Sequence, residues 1–264
     1  MPSIKRSGVR IHYEDIGSGS PVVLGHSFLC SGEMWGPQVG PLSDRFRVIN
    51  VDERGHGRSG SLTNGFDLYD MVDDVVAVLD DVGVDQAVWA GLSIGGMVAM
   101  RAAITVPDRV AGLILADTHA GAETTYKKLK YRAMALGVKT VGIRPFLPAV
   151  SKLMFGITTQ RQNPELVMAW RERFASADVP SMLLGLDALV KRDSVVDGLR
   201  SVEVPSLVIV GKEDVSLPPA LSREIADTLP NASIFVIPEA GHLSALEKPE
   251  AVTEAMLGFL GTVS

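Results

Sequence analysis

The chain has 264 residues, of which 46% are hydrophobic and 21% charged, and its formal net charge is −6. This composition is that of a globular protein, and it excludes a disordered chain, a collagen-like repeat and a coiled coil. The negative charge disfavours nucleic acid and anionic membranes as partners. The longest nearly apolar run, residues 87–100, is too short to span a bilayer.

Two further features concern the compartment of the protein. Residues 1–10 contain no apolar core of a secretory signal, and the single cysteine, Cys30, cannot form an internal disulfide. Both features predict a cytoplasmic protein in a reducing environment. The sequence carries no information on the oligomeric state.

Short apolar runs rich in Val and Ile alternate with longer helical patterns along most of the chain. The predicted strands are 9–16 (at a sheet edge), 21–25, 47–51, 86–90, 113–116, 206–210 and 233–237, and the predicted helices are 68–82, 94–106, 218–229 and 249–260. This alternation predicts an α/β fold with a mostly parallel sheet and helices on both faces.

One interval, residues 121–199, contains no convincing strand, and its helix-like patterns are interrupted by prolines. We predict that it forms a helical cap inserted between strands of a core domain formed by residues 1–120 and 200–264. Residues 121–200 hold 13 Lys and Arg against 7 Asp and Glu, whereas the remaining chain holds 12 against 24. Solvated helix faces are our main interpretation of this basic segment, and a basic lid that attracts an anionic substrate is the alternative.

The strongest local signal is the sequence Gly-Leu-Ser-Ile-Gly-Gly from Gly91 to Gly96, between a predicted strand and a predicted helix. A Gly-x-Ser-x-Gly pattern in that position is the nucleophile elbow, a turn so tight that glycine must flank the serine. The hydroxyl of Ser93 then stands at a helix N-terminus, where amide groups favour negative charge. We predict that Ser93 is a nucleophile.

A serine nucleophile needs a base and a carboxylate that orients the base. His242 fits the base, because it follows the predicted strand 233–237 and therefore lies at the same sheet edge as the elbow. Asp214 follows the strand 206–210 and fits the acid, with Asp117, after the strand 113–116, as the competing candidate. The neighbouring Glu213 is expected to point elsewhere.

The reaction also needs amide donors for an oxyanion. One predicted donor is the amide of Ile94, directly after the nucleophile, and the other is that of Phe28, in the loop after the strand 21–25. His26 in that loop is predicted mainly to fix the loop. The glycines between Arg54 and Gly60 match Gly-x-Gly-x-x-Gly, but loop residues follow them, so no dinucleotide cofactor is predicted. No spacing indicates a metal site.

These features resemble the α/β-hydrolase fold family over essentially the whole chain, and the chain order Ser93, Asp214, His242 is the order of that family. Several segments are more specifically similar to the 3-oxoadipate enol-lactonase branch and its esterase relatives: His26-Ser-Phe, Met34-Trp-Gly-Pro-Gln38, the elbow up to Met97, His242-Leu-Ser-Ala-Leu-Glu-Lys-Pro-Glu250, and the loop Asp52-Glu-Arg-Gly-His-Gly-Arg-Ser59. The resemblance implies an α/β-hydrolase fold, the triad Ser93, Asp214 and His242, and oxyanion donors at Phe28 and Ile94.

We therefore predict a cofactor-free hydrolase that cleaves small-molecule carboxylic esters or lactones through an acyl-enzyme. The alternatives are a 3-oxoadipate enol-lactonase, a perhydrolase or haloperoxidase side activity, and a ligand sensor with slow turnover on the same fold. A pocket for the substrate is predicted around His26, Trp35, Met154 and Met182. Methionine suits such a pocket because its side chain adapts to different shapes, although most cap methionines are expected to be packing residues.

Overall fold

A computed structural model describes residues 2–263 of the chain. Eight strands form a single sheet in the order β1-β2-β4-β3-β5-β6-β7-β8. The strands are β1 (Ser3–Arg6), β2 (Val9–Ile16), β3 (Pro21–Gly25), β4 (Arg47–Asp52), β5 (Ala87–Leu92), β6 (Val110–Ala116), β7 (Ser206–Gly211) and β8 (Ala232–Ile237). From β4 onward in that order, all neighbouring strands are parallel. β2 pairs antiparallel with both of its neighbours, β1 and β4. The predicted mostly parallel sheet is confirmed.

Helices cover both faces of this sheet. They are α1 (Gly36–Ser43), α2 (Leu68–Asp81), α3 (Ile94–Thr105), α4 (Thr125–Val141), α5 (Leu147–Met154), α6 (Ile157–Gln162), α7 (Pro164–Ala175), α8 (Val179–Lys191), α9 (Val196–Leu199), α10 (Pro219–Thr228), α11 (Ser244–Glu247) and α12 (Pro249–Val263). One apolar core contains Leu79 of α2, Met100 of α3 and Ile225 of α10. The other contains Leu42 of α1 and Met256 of α12.

Residues 9–16 form a strand as predicted, but the prediction that this strand lies at the sheet edge is wrong, because β1 lies outside β2. The two strands are joined by Ser7 and Gly8, both with positive φ, which is the backbone of the tight turn that fits twisted hairpins. With only one apolar residue, Ile4, β1 carries little hydrophobic signal.

Between β6 and β7, the described chain contains helices α4 to α9 and no strand. We refer to residues 121–199 as the cap segment, and their separation as a domain stays a prediction. Among residues 2–263 no helix is long and apolar enough to cross a membrane.

The parallel strands decide where polar loops meet. Ser93 follows β5, Asp117 follows β6, Asp214 lies in the loop after β7, and His242 lies in the loop after β8. Since the carboxyl ends of parallel strands lie at one edge of a sheet, these four side chains are brought to the same edge.

Candidate active site

Ser93 occupies the turn between β5 and α3 with a φ of 58°. A non-glycine residue in this left-handed region is strained and must be held by its surroundings. A Cβ atom on Gly91 would lie 2.2 Å from the carbonyl carbon of Gly95, and one on Gly95 would lie 2.5 Å from that of Gly25. Glycine is therefore required on both sides of Ser93, as the elbow pattern predicts.

The end of β6 fixes the backbone of Ser93. The Ser93 N–H donates to the carbonyl of Ala116 at 2.9 Å, and the hydroxyl of Thr118 donates to the carbonyl of Ser93 at 2.6 Å. Sequence reasoning missed this support, because the two partners are more than twenty residues from Ser93 and match no motif.

The side chains of Ser93, His242 and Asp214 form one hydrogen-bonded chain. His242 Nε2 lies 2.9 Å from Ser93 Oγ, and His242 Nδ1 lies 2.8 Å from Asp214 Oδ2. The three residues are only 6%, 3% and 3% exposed, respectively. Hydrogen bonds of this length in a water-poor site fix the orientation of the imidazole.

The carboxylate of Asp214 is held on its other side by the backbone. Its Oδ1 accepts the N–H groups of Ser216 at 2.8 Å and Leu217 at 2.9 Å. The neighbouring Glu213 turns away and accepts both the N–H and the hydroxyl of Thr158 in the cap segment. Only Asp214 of this acidic pair contacts the imidazole.

The charge environment favours a protonated His242 more than water does. Burial lowers the pKa of His242, but the charge and hydrogen bond of Asp214, together with more distant carboxylates, outweigh burial, so the pKa lies above its ordinary value near 6.5. Asp117 and Glu247 contribute further negative charge. The imidazole can therefore take up a proton from Ser93 and be stabilised as the cation.

Asp117, the competing candidate for the acid, is buried elsewhere at this edge. Its carboxylate accepts the N–H of Gly211 at 2.7 Å and the hydroxyl of Ser244 at 2.5 Å. Burial, together with the nearby Asp214, raises the pKa of Asp117 well above its ordinary value. The imidazole of His242 is hydrogen-bonded to Asp214 and not to Asp117.

The two predicted oxyanion donors have free backbone amides. Within residues 2–263, neither Phe28 N–H nor Ile94 N–H is paired with an acceptor. Ile94 is the first residue of α3, so its amide points out of the helix N-terminus, where negative charge is favoured. Neither amide is therefore committed to an acceptor within the described residues, and their role as oxyanion donors stays a prediction.

His26 fixes the loop that carries Phe28. Its Nε2 accepts the N–H of Glu53 at 2.9 Å, and its Nδ1 donates to the carbonyl of Ser27 at 2.9 Å. The carbonyl of His26 accepts the N–H of Gly95 at 3.2 Å, which joins this loop to the elbow. Both ring nitrogens are thus occupied, and burial lowers the pKa of His26 to about 3.

An apolar cavity of about 30 Å³ lies between Phe28 and the cap segment. All of its lining residues are apolar: Phe28, Leu29, Met134, Ala135, Val138, Ile143, Phe146, Val150, Met182, Leu183 and Leu186. This volume holds only about two water-sized groups. Of the predicted pocket residues, Met182 lines this cavity.

A larger cleft of about 730 Å³ lies between the loops after β3 and β4 and the cap segment. Its wall is more polar and includes Glu33, which forms an ion pair with Arg173 of α7 at 2.6 Å. The cleft and the apolar cavity share Leu29 and Met182. Trp35 lines neither of them, since it is fully buried and donates its indole N–H to the carbonyl of Gly25.

The predicted pocket residue Met154 lies at a junction between the cap segment and the His242 loop. Its carbonyl accepts the N–H of Leu243 at 3.0 Å. The carboxylate of Glu247 accepts the N–H groups of Gly156 at 2.8 Å and Gly241 at 2.9 Å. A Cβ atom on Gly241 would lie 2.1 Å from the nitrogen of Gly156, so the two segments are in close backbone contact.

The fold and this site define the class of the protein. The family model described as alpha/beta hydrolase fold matches residues 20–249, and the chain belongs to that family. The resemblance and the fold that the sequence predicts are both confirmed.

Several known proteins are similar to this chain along nearly its whole length. A thermophilic esterase from Thermogutta terrifontis is 33% identical, with a TM-score of 0.95 and coverage of 100% of this chain and 99% of that chain. The enol-lactonase from Burkholderia xenovorans is 27% identical, with a TM-score of 0.92 and coverage of 98% and 100%. A Mycobacterium tuberculosis protein provisionally named non-heme bromoperoxidase BpoC is 30% identical over 97% of this chain and 99% of its own.

Proposed function

We propose that the protein is a serine hydrolase that cleaves carboxylic esters or lactones through an acyl-enzyme. The observation that carries this proposal is the buried hydrogen-bonded chain from Ser93 through His242 to Asp214. The similarity to an esterase and an enol-lactonase supports the same reaction class.

In the proposed mechanism, His242 Nε2 takes the proton of Ser93 Oγ as this oxygen attacks the substrate carbonyl. Asp214 stabilises the imidazolium, and the amides of Phe28 and Ile94 bind the oxyanion of the tetrahedral intermediate. The imidazolium then protonates the leaving alcohol, and the bond from carbonyl carbon to alcohol oxygen breaks. Water, deprotonated by His242, attacks the acyl-enzyme and releases the acid and Ser93. A lactone follows the same steps, with the alcohol still tethered to the acyl group.

The apolar cavity points to the kind of substrate. No charged side chain lines it, so it favours a short apolar acyl group over the carboxylate of an acidic lactone. The basic residues Lys130, Arg132 and Lys139 of α4 are solvent-exposed, whereas Met134, Ala135 and Val138 of the same helix line the cavity. This arrangement supports ordinary solvated helix faces rather than a basic lid that binds an anionic substrate.

The proposal is tested with 4-nitrophenyl acetate, butyrate and octanoate, a neutral γ-lactone and an acidic enol-lactone. We expect acetate and butyrate to be cleaved faster than octanoate, and the acidic lactone to be the poorest substrate. Ser93→Ala should lower kcat about a thousandfold or more. Ser222→Ala is the matched control, because Ser222 is also buried but lies on α10. Equal activity of wild type and Ser93→Ala would refute the mechanism, and rapid opening of the acidic lactone alone would favour the enol-lactonase.

A further inference from the structure

Asp117 is a buried carboxylate that the proposed mechanism does not use. It is fully buried directly after β6, and its φ of 44° lies in the left-handed region. Aspartate tolerates this conformation better than most residues, but the conformation still persists only where neighbouring contacts hold it. Its own N–H donates to the carbonyl of Ile209 in β7 at 2.9 Å.

The carboxylate of Asp117 joins two segments that carry the candidate site. Gly211, whose N–H donates to Oδ1 at 2.7 Å, precedes Asp214 by three residues. Ser244, whose hydroxyl donates to Oδ2 at 2.5 Å, follows His242 by two residues. One side chain therefore contacts both the loop of the acid and the loop of the base.

The residues on either side of Asp117 hold the third segment. Ala116 accepts the backbone N–H of Ser93, and Thr118 donates its hydroxyl to the carbonyl of Ser93. The three consecutive residues Ala116, Asp117 and Thr118 thus contact the segments of the nucleophile, the acid and the base.

We propose that Asp117 is a positioning residue for the reaction, holding the loops of Asp214 and His242 in register with Ser93 from the end of β6. This inference rests on the proposed function. Asp117 does not belong to the triad, since the two ring nitrogens of His242 are bonded to Asp214 and Ser93. Hydrogen bonds to a buried carboxylate are short and strong, which suits a group whose task is to fix two loops.

A charge effect accompanies the positioning. The acidic groups that face His242 are Asp214, Asp117 and Glu247, and each raises the pKa of His242. The burial that raises the pKa of Asp117 favours its neutral form, so it contributes its charge to His242 only where it is ionised. Replacing Asp117 by the isosteric Asn removes that charge, which lowers the pKa of His242, and also removes one acceptor oxygen. Replacing Ser244 by Ala removes one hydrogen bond and leaves the carboxylate in place, so this second substitution reports the geometric contribution alone.

The test measures kcat, KM and the pH profile of kcat/KM on 4-nitrophenyl acetate for Asp117→Asn and Ser244→Ala, and follows the His242 ring by NMR titration. For Asp117→Asn we expect kcat to fall about 10–100-fold with KM nearly unchanged, because small displacements of catalytic groups have effects of that size. We also expect the His242 titration of this variant to move to lower pH. Ser244→Ala should lower kcat less and leave the titration unchanged.

The matched control is Asp74→Asn, since Asp74 is also a buried aspartate but pairs with Arg54. It should lower thermal stability without moving the His242 titration. If Asp117→Asn behaves like this control, the residue is merely structural and the inference is wrong. Should Asp117→Asn fail to fold, an unchanged kcat in Ser244→Ala would equally overturn the inference.

Absence of Ser93-dependent turnover in the wild type would instead refute the proposed function, while the NMR titration would still test the effect of Asp117 on His242.

Discussion

The sheet edge that carries Ser93 and the cap segment are built in different ways. At the sheet edge, the polar atoms of Ser93, Asp214 and His242 have defined partners within 3 Å and are nearly excluded from solvent. On α4 of the cap segment, Tyr126 and Leu129 are 76% and 70% exposed, and only the inner face contacts an apolar cavity. The comparison teaches that long-range contacts hold the polar side chains of the proposed site, whereas the cap segment contributes an apolar face and leaves much of α4 in solvent.

The largest expected effect comes from the acid at the sheet edge. Asp214→Asn keeps the shape of the side chain but removes the charge that orients and stabilises the imidazole. We expect kcat to fall about 10³–10⁴-fold, the size of effect seen when a triad carboxylate becomes an amide. The control is Glu213→Gln, which alters only contacts to Thr158 of the cap segment. A loss of similar size in Glu213→Gln would show that the two acidic residues do not differ in function.

The glycines of the elbow offer a second way to perturb the sheet edge. A methyl group at Gly95 would overlap the backbone of Gly25, and neither segment can move without displacing Ser93. We expect Gly95→Ala to lower the free energy of unfolding by about 1–3 kcal/mol or more, as overpacking does. Gly258→Ala on α12 is the control, because nothing lies within 4 Å of its added methyl group. That substitution should raise stability by about 0.5–1 kcal/mol through helix propensity, as measured by urea denaturation.

The third prediction concerns pH. In the proposed mechanism, His242 must be unprotonated to accept the Ser93 proton, so we expect activity to be lost as pH falls through its pKa, which lies above 6.5. On a neutral ester, kcat/KM should therefore fall about tenfold per pH unit below an inflection above pH 6.5. The raised pKa also means that His242 contributes to stability below pH 6.5, and that this contribution is lost as pH rises through the pKa of the folded state. An inflection below pH 6.5 would contradict this account of the site.

The smallest expected effect comes from the cap segment. Leu183→Ala enlarges the apolar cavity, so the ratio of octanoate to acetate hydrolysis should rise about three- to tenfold. Leu129→Ala is the control, since Leu129 lies on the exposed face of α4 and does not line the cavity. Equal ratios in both variants would mean that the acyl chain binds elsewhere, for example in the larger polar cleft.

Much of the sheet could be predicted because strands buried on both faces are nearly continuous apolar runs. The edge strand β1 and the helix α1 could not be predicted. The strand β1 has one apolar residue in four, and α1 contains Gly36, Pro37, Gly40 and Pro41 in eight positions, a composition that argues against a helix. This helix is stabilised by packing and by Gln38, whose side-chain amide donates to the carbonyls of Ala245 and Pro249.

The candidate site also contains residues that could be predicted from the sequence and contacts that could not. Ser93, Asp214 and His242 could be predicted from the sequence because Ser93 directly follows a recognisable strand and the other two lie in the loops after such strands. The supporting contacts of Thr118 and Ser244 were not, since they depend on how loops distant in sequence meet in space. The predicted pocket agrees with the cavities of the structure only in part. Trp35 is a large aromatic residue of the kind that lines pockets, but here it is fully buried and donates its indole N–H to the carbonyl of Gly25.

The close junction between Gly156 and Gly241 limits how the cap segment can move. Since Glu247 accepts the backbone N–H groups of both glycines and Leu243 donates to the carbonyl of Met154, this end of the cap segment is hydrogen-bonded directly to the loop of His242. In the proposed mechanism, a hinge located there would displace His242, the proposed base. We therefore expect this junction to stay closed during substrate entry and product release. For the same reason, we expect a chimera that receives the cap of a relative to need the native residues from Met154 to Thr158, and to lose activity without them even when Ser93, Asp214 and His242 are intact.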